Sequence, residues 1–456
     1  MKTKRIFSLF FALILSLSLF TPVCATGDEP QLPEDPNILA KAALLVDYNT
    51  GDIAYAKNEH EELYPASLTK IMTALLVLEA IEDGQLTMEQ QLTASPTALE
   101  GLAADGSNAG IKVGEILSVR DLMYCMLVVS ANEACDILAE AVSGSVSAFV
   151  DQMNAKAQEL GCVNTHFMNP NGQHDPQHYS SAWDLYLITR AAMEYEDFMV
   201  ICDTANVKIP ATNMSEERNY WTTNHLLSSW RVIGYRNTEA HGIKTGSTSA
   251  AGHCLVSSAA RGSLHFVSVI LGAERVEENG VGNIRSFSET TRMFNYGFAN
   301  FTYKTIIEEK EAIAEVPVEL SKLDHVTVYP SRNIEILIPK GLEPEHLERT
   351  ITLQEPVEAP VAKGQKLGSM TLSYDGTTYG SVDLLAGFDV EASKMMTFWR
   401  DLQAFFSKTV VRVVCIVLVV LILLLMGRKL LFSRKRYRYG RSTAHQGSNY
   451  RGRRRR

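Results

Sequence analysis

The sequence predicts an α/β domain built on one sheet with packed helices, followed by a small all-β domain and a C-terminal transmembrane helix. Three observations point there. Strand-like apolar runs stand early in the chain and again past Lys244, with helical periodicity between them, so one sheet is assembled from both ends of the first domain. From about Glu308 to Val390 the pattern becomes short alternating runs separated by Gly, Pro and charges. Thr409 to Gly427 is then apolar except for Arg412, long enough to span a bilayer with the arginine reaching the interface. A chain of 456 residues exceeds what one compact core holds, and two folded domains are the natural expectation.

The elements follow in order. "MKTKRIFSLFFALILSLSLFTPVCA" has early positive charges, an apolar run from Ile6 to Phe20 and small residues at Val23-Cys24-Ala25, the pattern of a cleaved secretory signal over residues 1–25. A lipid-anchored Cys24 is the competing reading, and its Thr-Pro-Val context is poor for that modification. The Pro- and acid-rich residues 26–37 read as an extended leader. "AALLVDYNTGDIAYAKN" reads as a hairpin turning at Asn49-Thr50-Gly51, and helical periodicity follows through Ser67–Ile81, Val119–Val129 and Glu133–Val142. "HCLVSSAARGSLHFVSVILGA" gives two strands joined at Arg261-Gly262. These elements make a first domain over residues 38–305. "EVPVEL", "HVTVYP", "NIEILIP", "TITLQEP", "GSMTLSY" and "GSVDLLA" make a β-rich domain over 306–390. A juxtamembrane amphipathic segment occupies 391–408, the transmembrane helix 409–427 and a basic tail 428–456.

Charge divides the same way. The overall −9 combines a tail of twelve Lys or Arg without Asp or Glu, which leaves −21 on residues 1–427. An acidic body and a basic tail fit two compartments: an exported body, one span, and a tail held in the cytoplasm by the positive-inside rule and drawn to anionic lipid. Nucleic-acid binding is not expected from a 29-residue tail with no fold signature. Cys125, Cys135, Cys162, Cys202 and Cys254 are odd in number and include no C-x-x-C pair, so they read as buried thiols and not as a disulfide scaffold.

Chemistry enters at "PASLTKIMTALLVLEA". Lys70 stands in the first turn of an almost wholly apolar helix, three residues after Ser67, so the two side chains are neighbours on one face. Burying an ammonium is costly, and a desolvated lysine has its pKa lowered. Such an amine is a base able to take the proton of a serine hydroxyl and make it a nucleophile. The alternative is a helix N-cap at Ser67, for which a Glu or Gln three residues on is favoured and a lysine is not. In "LVVSANEACDIL", Ser130 and Asn132 fall between two helical segments. A tight turn there lets a hydroxyl relay protons and an amide hold a substrate carbonyl in one cavity, where an ordinary Ser/Asn turn does neither. In "HGIKTGSTSAAGHCLV", Gly246 lets another backbone approach the strand edge that carries Lys244 and Thr245, and these two can bind a carboxylate. The competing reading is an exposed edge with a solvated lysine.

Each signal alone is modest. In the order S-x-x-K, S-x-N, K-T-G on helix, turn and strand they form the set of class A β-lactamases and penicillin-binding proteins. The chain resembles the D-alanyl-D-alanine carboxypeptidases, low-molecular-weight penicillin-binding proteins. The likeness extends through "NTHFMNPNGQHDPQHYSSAWDL", "GIKTGSTSAAGHCLVSSAARG" and "NYGF", covers about Asn37 to Phe301, and includes the layout of the β domain. The resemblance implies the serine β-lactamase/transpeptidase-like α/β fold with an antiparallel sheet, a peptidoglycan stem peptide ending in D-Ala-D-Ala as substrate, and β-lactams as covalent inhibitors. It implies Ser67 as the acylated nucleophile, Lys70 as its base and Ser130 as the proton shuttle to the leaving D-alanine. Asn132 then orients the substrate, Lys244 raises the positive potential, Thr245 holds the terminal carboxylate and Gly246 belongs to the same substrate-binding strand. The oxyanion hole falls to the backbone N–H groups of Ser67 and Ser247. No metal or cofactor is implied.

Two positions depart from the family. Thr223 stands where some members have an arginine, which leaves the carboxylate anchor open, and Gln173 replaces a residue more often apolar. The sequence contains no E-x-x-x-N between Ser130 and Lys244, which argues against a class A β-lactamase. A D,D-endopeptidase uses the same residues, and a membrane-tethered β-lactam receptor would need a partner for its short tail. His174 and His178 are four apart, but Pro176 between them argues against a zinc site. His241 reads as a residue at the site rim.

Overall fold

The structure, a computed structural model, describes residues 30–103, 105–278 and 281–432. The expected signal segment 1–25 and the tail beyond residue 432 lie outside the described residues. By packing, the chain divides into two compact units. Among the described residues, the first contains those up to 311 together with 330–352 and 369–383; the second contains 312–329, 353–368 and those from 384 to 432. The chain therefore passes between the two units several times.

The first unit is organised on a five-stranded sheet in the order Ile53–Lys57, Ala42–Asp47, Leu264–Ala273, Gly252–Arg261, Ala240–Thr248. Every neighbouring pair is antiparallel. The expected hairpins are there, turning after Asp47 and after Arg261. All six residues of Ala42–Asp47 are buried, which an antiparallel strand shows only when both sheet faces are covered. The alternation of side chains splits the strand between two cores. Ala42, Leu44 and Val46 pack with the helices Lys70–Glu82, Val119–Val128, Asn132–Ser143 and Ala182–Met193. Ala43 and Leu45 pack with Phe287, Phe294 and Phe298 of the helix Arg285–Asn300.

Lys70–Glu82 is buried over almost its whole circumference, from Lys70 to Ala80 apart from Glu79. Its leucines, isoleucine and valine each contribute roughly 1.5–3 kcal/mol relative to exposure, so the element is held by packing and not by amphipathic contrast. The surrounding helices start on side-chain caps: Ser118 accepts from Asp121 N–H, Ser145 from Ala148 and Ser181 from Asp184.

The alternating runs of the β region become strands as expected. In the first unit Phe301–Ile307 pairs with Ile334–Pro339 antiparallel. In the second, Ala314–Glu319 pairs with His325–Pro330 antiparallel and with Val357–Glu358 parallel. The second unit ends in two helices. Lys394–Ser407 exposes Phe398, Trp399, Phe405 and Phe406. Thr409–Phe432 follows, and over 23 residues it is long and apolar enough to cross a membrane.

Candidate active site

Ser67 lies in a tight turn, Ala66–Thr69, that leads into the buried helix beginning at Lys70. It is not a helix cap, because no side-chain cap bond is made at this end. The turn is fixed from several sides. Thr69 Oγ1 bonds the carbonyl of Ala66 at 2.8 Å and His178 Nε2 at 2.8 Å, while His178 Nδ1 accepts from Met168 N–H at 3.1 Å. Both ring nitrogens of His178 are thus engaged in holding the turn, and burial pushes its pKa down to about 4, so it stays neutral. Gly172 and Gly246 press on the same turn. A Cβ on Gly246 would stand 2.9 Å from the Pro65 carbonyl and 3.2 Å from Ser67 N, which is the close backbone approach that the glycine of K-T-G was expected to permit.

Lys70 is fully buried. Its Nζ is 2.9 Å from Ser67 Oγ, 2.8 Å from Asn132 Oδ1 and 2.6 Å from the backbone carbonyl of Asn171. Desolvation lowers its pKa, opposed by the carboxyl groups of Asp136 and Glu133. Nζ thus has the Ser67 hydroxyl and two carbonyl oxygens within hydrogen-bond reach, and desolvation favours its neutral form.

Ser130 and Asn132 occupy the break between Val119–Val128 and Asn132–Ser143. Ser130 has φ +67°, the left-handed region, which a serine adopts at a cost. Its Oγ is buried and makes no hydrogen bond among the described residues. Asn132 N–H donates to the Ser107 carbonyl at 2.9 Å.

Lys244, Thr245, Gly246 and Ser247 lie on the edge strand Ala240–Thr248. Lys244 is buried and its pKa is lowered to about 7 by desolvation and then by the neighbouring Lys70. Thr245 Oγ1 is 2.6 Å from Thr223 Oγ1, so the threonine found in place of an arginine is a partner of the K-T-G threonine. Ser67 lines two cavities. One, of about 430 Å³, is lined by Asn132, Asn171, Gln173 and His174 among others; the other, of about 340 Å³, is lined by Ser130, Thr223, Arg231 and Thr245. Ser247 lines both, and no Asp or Glu lines the second among the described residues. All eight residues singled out in the sequence converge around Ser67 or on the strand beside it.

Other residues were not found by sequence reasoning. Asn171 and Gly172 sit in "NPNGQ", which has the composition of an ordinary turn. Arg231 lies in an irregular stretch before the edge strand. Asp136, buried one turn beyond Asn132, belongs to none of the three motifs. His241, expected at the site rim, has its ring 3.0 Å from an Asp203 carboxyl oxygen and lines neither cavity. The five cysteines are free and buried, and burial raises their thiol pKa values, to about 12 at Cys125, Cys135 and Cys162.

Comparison with known proteins gives the same picture. The family pattern described as D-alanyl-D-alanine carboxypeptidase matches residues 29–275, and that of the penicillin-binding protein 5 C-terminal domain matches residues 301–392. The chain is 30% identical over 399 residues to D-alanyl-D-alanine carboxypeptidase DacF of Bacillus subtilis, covering 87% of this chain and 97% of the relative. It is 32% identical to DacA of Haemophilus influenzae, covering 80% and 88%. The structure of penicillin binding protein 5 from Haemophilus influenzae superposes with a TM-score of 0.65 at 30% identity, covering 78% of this chain and 99% of that one. The chain belongs to the D-alanyl-D-alanine carboxypeptidase family and has a penicillin-binding protein 5-like fold.

Proposed function

We propose that this peptidase removes the terminal D-alanine from peptidoglycan stem peptides through an acyl-enzyme on Ser67. Lys70 Nζ takes the hydroxyl proton while Ser67 Oγ attacks the carbonyl of the penultimate D-alanine. The N–H groups of Ser67 and Ser247 receive the developing oxyanion. Ser130 passes a proton to the departing amine as the C–N bond breaks, Asn132 orients the acyl portion, and water then hydrolyses the ester. Lys244, Thr245 and Gly246 form the wall against which the substrate terminus lies. Thr223 and Arg231 share the cavity with Thr245 and take up the terminal carboxylate. Penicillin acylates Ser67 by the same attack on its lactam carbonyl.

The observation that carries this reading is the fully buried Lys70 amine 2.9 Å from Ser67 Oγ. The domain limits follow the sequence: a catalytic domain over 38–305 and a β-rich domain over 306–390 that acts as a spacer toward the wall. The apolar helix from Thr409 anchors the chain, with the exposed aromatic residues of Lys394–Ser407 at the lipid surface. The catalytic body lies on the extracytoplasmic face, where stem-peptide trimming bears on wall biogenesis and cell shape.

The test is D-alanine release by the full chain in detergent, given a peptide ending in D-Ala-D-Ala, beside covalent labelling by penicillin. Ser67→Ala abolishes both while the fold is retained. Labelling that survives in Ser67→Ala would place the nucleophile elsewhere, and labelling without release would favour an endopeptidase or a receptor.

A further inference from the structure

Beneath the base lies a second ionisable group that the reaction above does not use. Asp136 is 6% exposed and stands one helical turn beyond Asn132. Its carboxyl oxygens are 3.3 and 3.5 Å from Asn171 Nδ2. Asn171 Oδ1 accepts from Gln173 N–H at 2.9 Å, which fixes the amide orientation and aims its NH₂ at Asp136. The backbone carbonyl of the same Asn171 takes the 2.6 Å bond from Lys70 Nζ. One helix therefore grips the amine from two directions, directly through Asn132 Oδ1 and indirectly from Asp136 through Asn171.

We propose that Asp136 is a positioning residue for the Lys70 base: it anchors Asn171, whose carbonyl holds Nζ against Ser67, and it couples a second titrating carboxyl to the amine. The proposal rests on the reading of Lys70 as the base. Lys70 itself also faces the buried Lys244 of the edge strand, whose pKa is lowered to about 7 by desolvation and by Lys70. The groups bearing on Asp136 are few. Lys70 faces it from the helix that follows Ser67, and Asn171 offers only a neutral amide from the 164–180 segment. On its own helix, Glu140 is held by the Ser95 and Thr97 hydroxyls, and Glu133 Oε1 by the N–H groups of Ala109 and Ile111. Burial raises the Asp136 pKa to about 7, with Asn171 and Lys70 opposing the rise.

The sign follows. With no carboxylate charge at Asp136, desolvation acts on Lys70 unopposed from that side, and the amine loses its proton at lower pH. When Asp136 ionises, its negative charge favours the ammonium at Lys70, which cannot accept the Ser67 proton. The pair can also hold a single proton on either partner, so the two groups titrate together. Removing the ionisable carboxyl while keeping an acceptor for Asn171 makes Lys70 a free base at lower pH.

The experiment is the pH profile of penicillin acylation for the full chain in detergent, with Asp136→Asn, Asp136→Ala and Lys70→Ala. Asp136→Asn is expected to hold the plateau rate within about threefold while its rising limb moves to lower pH by roughly one unit. Asp136→Ala, which frees Asn171, is expected to lose about tenfold or more at every pH, with Asp136→Asn restoring the loss. A purely structural role would lower thermal stability and leave the limb in place. A limb in Asp136→Asn superimposable on the parent, with Lys70→Ala inactive, overturns the role of Asp136 alone. Near-parent acylation by Lys70→Ala overturns the reading of Lys70 itself.

Discussion

Gly172 is packed against the carbonyl of Ala66 so closely that a Cβ on it would stand 1.9 Å from that oxygen and 2.9 Å from Ser67 N. Its φ of +83° is also one that only glycine adopts freely. The residue pair couples the "NPNGQ" loop to the turn that presents Ser67, across more than a hundred positions of sequence.

Gly172→Ala is therefore expected to displace the Ser67 turn. A shift near 1 Å at a reacting group costs about a hundredfold, so penicillin acylation should fall by about that factor. The strained φ adds roughly 1–3 kcal/mol of destabilisation. Stopped-flow acylation and urea unfolding read the two effects separately. An acylation rate within twofold of the parent would show that the loop yields and the turn does not.

Arg231 faces the same cavity half as Thr245 and Thr223. A charge-assisted bond to a carboxylate is worth about 1.5–3 kcal/mol, and exposure of the guanidinium trims that toward its lower end. Arg231→Gln should raise KM for a peptide ending in free D-Ala-D-Ala about tenfold with little change in kcat. The same peptide ending in a carboxamide should not distinguish the two proteins. Equal KM values for the free acid would leave the two threonines as the only anchor.

His178 gives the protein an acid-sensitive joint. Its folded pKa of about 4 lies below the ordinary value of 6.5, so the unfolded chain binds more protons between those pH values. Stability is then full above about 6.5 and is lost as pH falls toward 4, by up to roughly 3 kcal/mol. Urea midpoints measured from pH 7 to pH 4 check this. His178→Gln should flatten the part of the slope that belongs to this ring, and an unchanged slope would assign the acid sensitivity to other groups.

Much of this was legible in sequence because it is local. The apolar run of Ala42–Val46, the Asn49-Thr50-Gly51 turn and the seam at Arg261-Gly262 need only residue order to specify a hairpin. Ser67 and Lys70 are neighbours by helical spacing alone. Arg285–Asn300 was harder to read: its buried Phe287, Phe294 and Phe298 are interleaved with polar residues, and the contrast has meaning only once the sheet offers a face to cover.

By itself, the sequence singled out the residues proposed to carry the chemistry and the kind of element on which each stands: a serine and a lysine one turn apart, a serine and an asparagine at a helix break, a lysine and a threonine on a strand. Only the tertiary structure decided that Lys244 is buried, that Asn171 holds the Lys70 amine, that Gly172 backs the Ser67 turn and that Asp136 lies beneath it. The reason is physical. Desolvation, close backbone approach and the coupling of charges depend on distances between segments that are far apart in the chain, as Lys70 and Asn171 are, and residue spacing along the chain does not encode those distances.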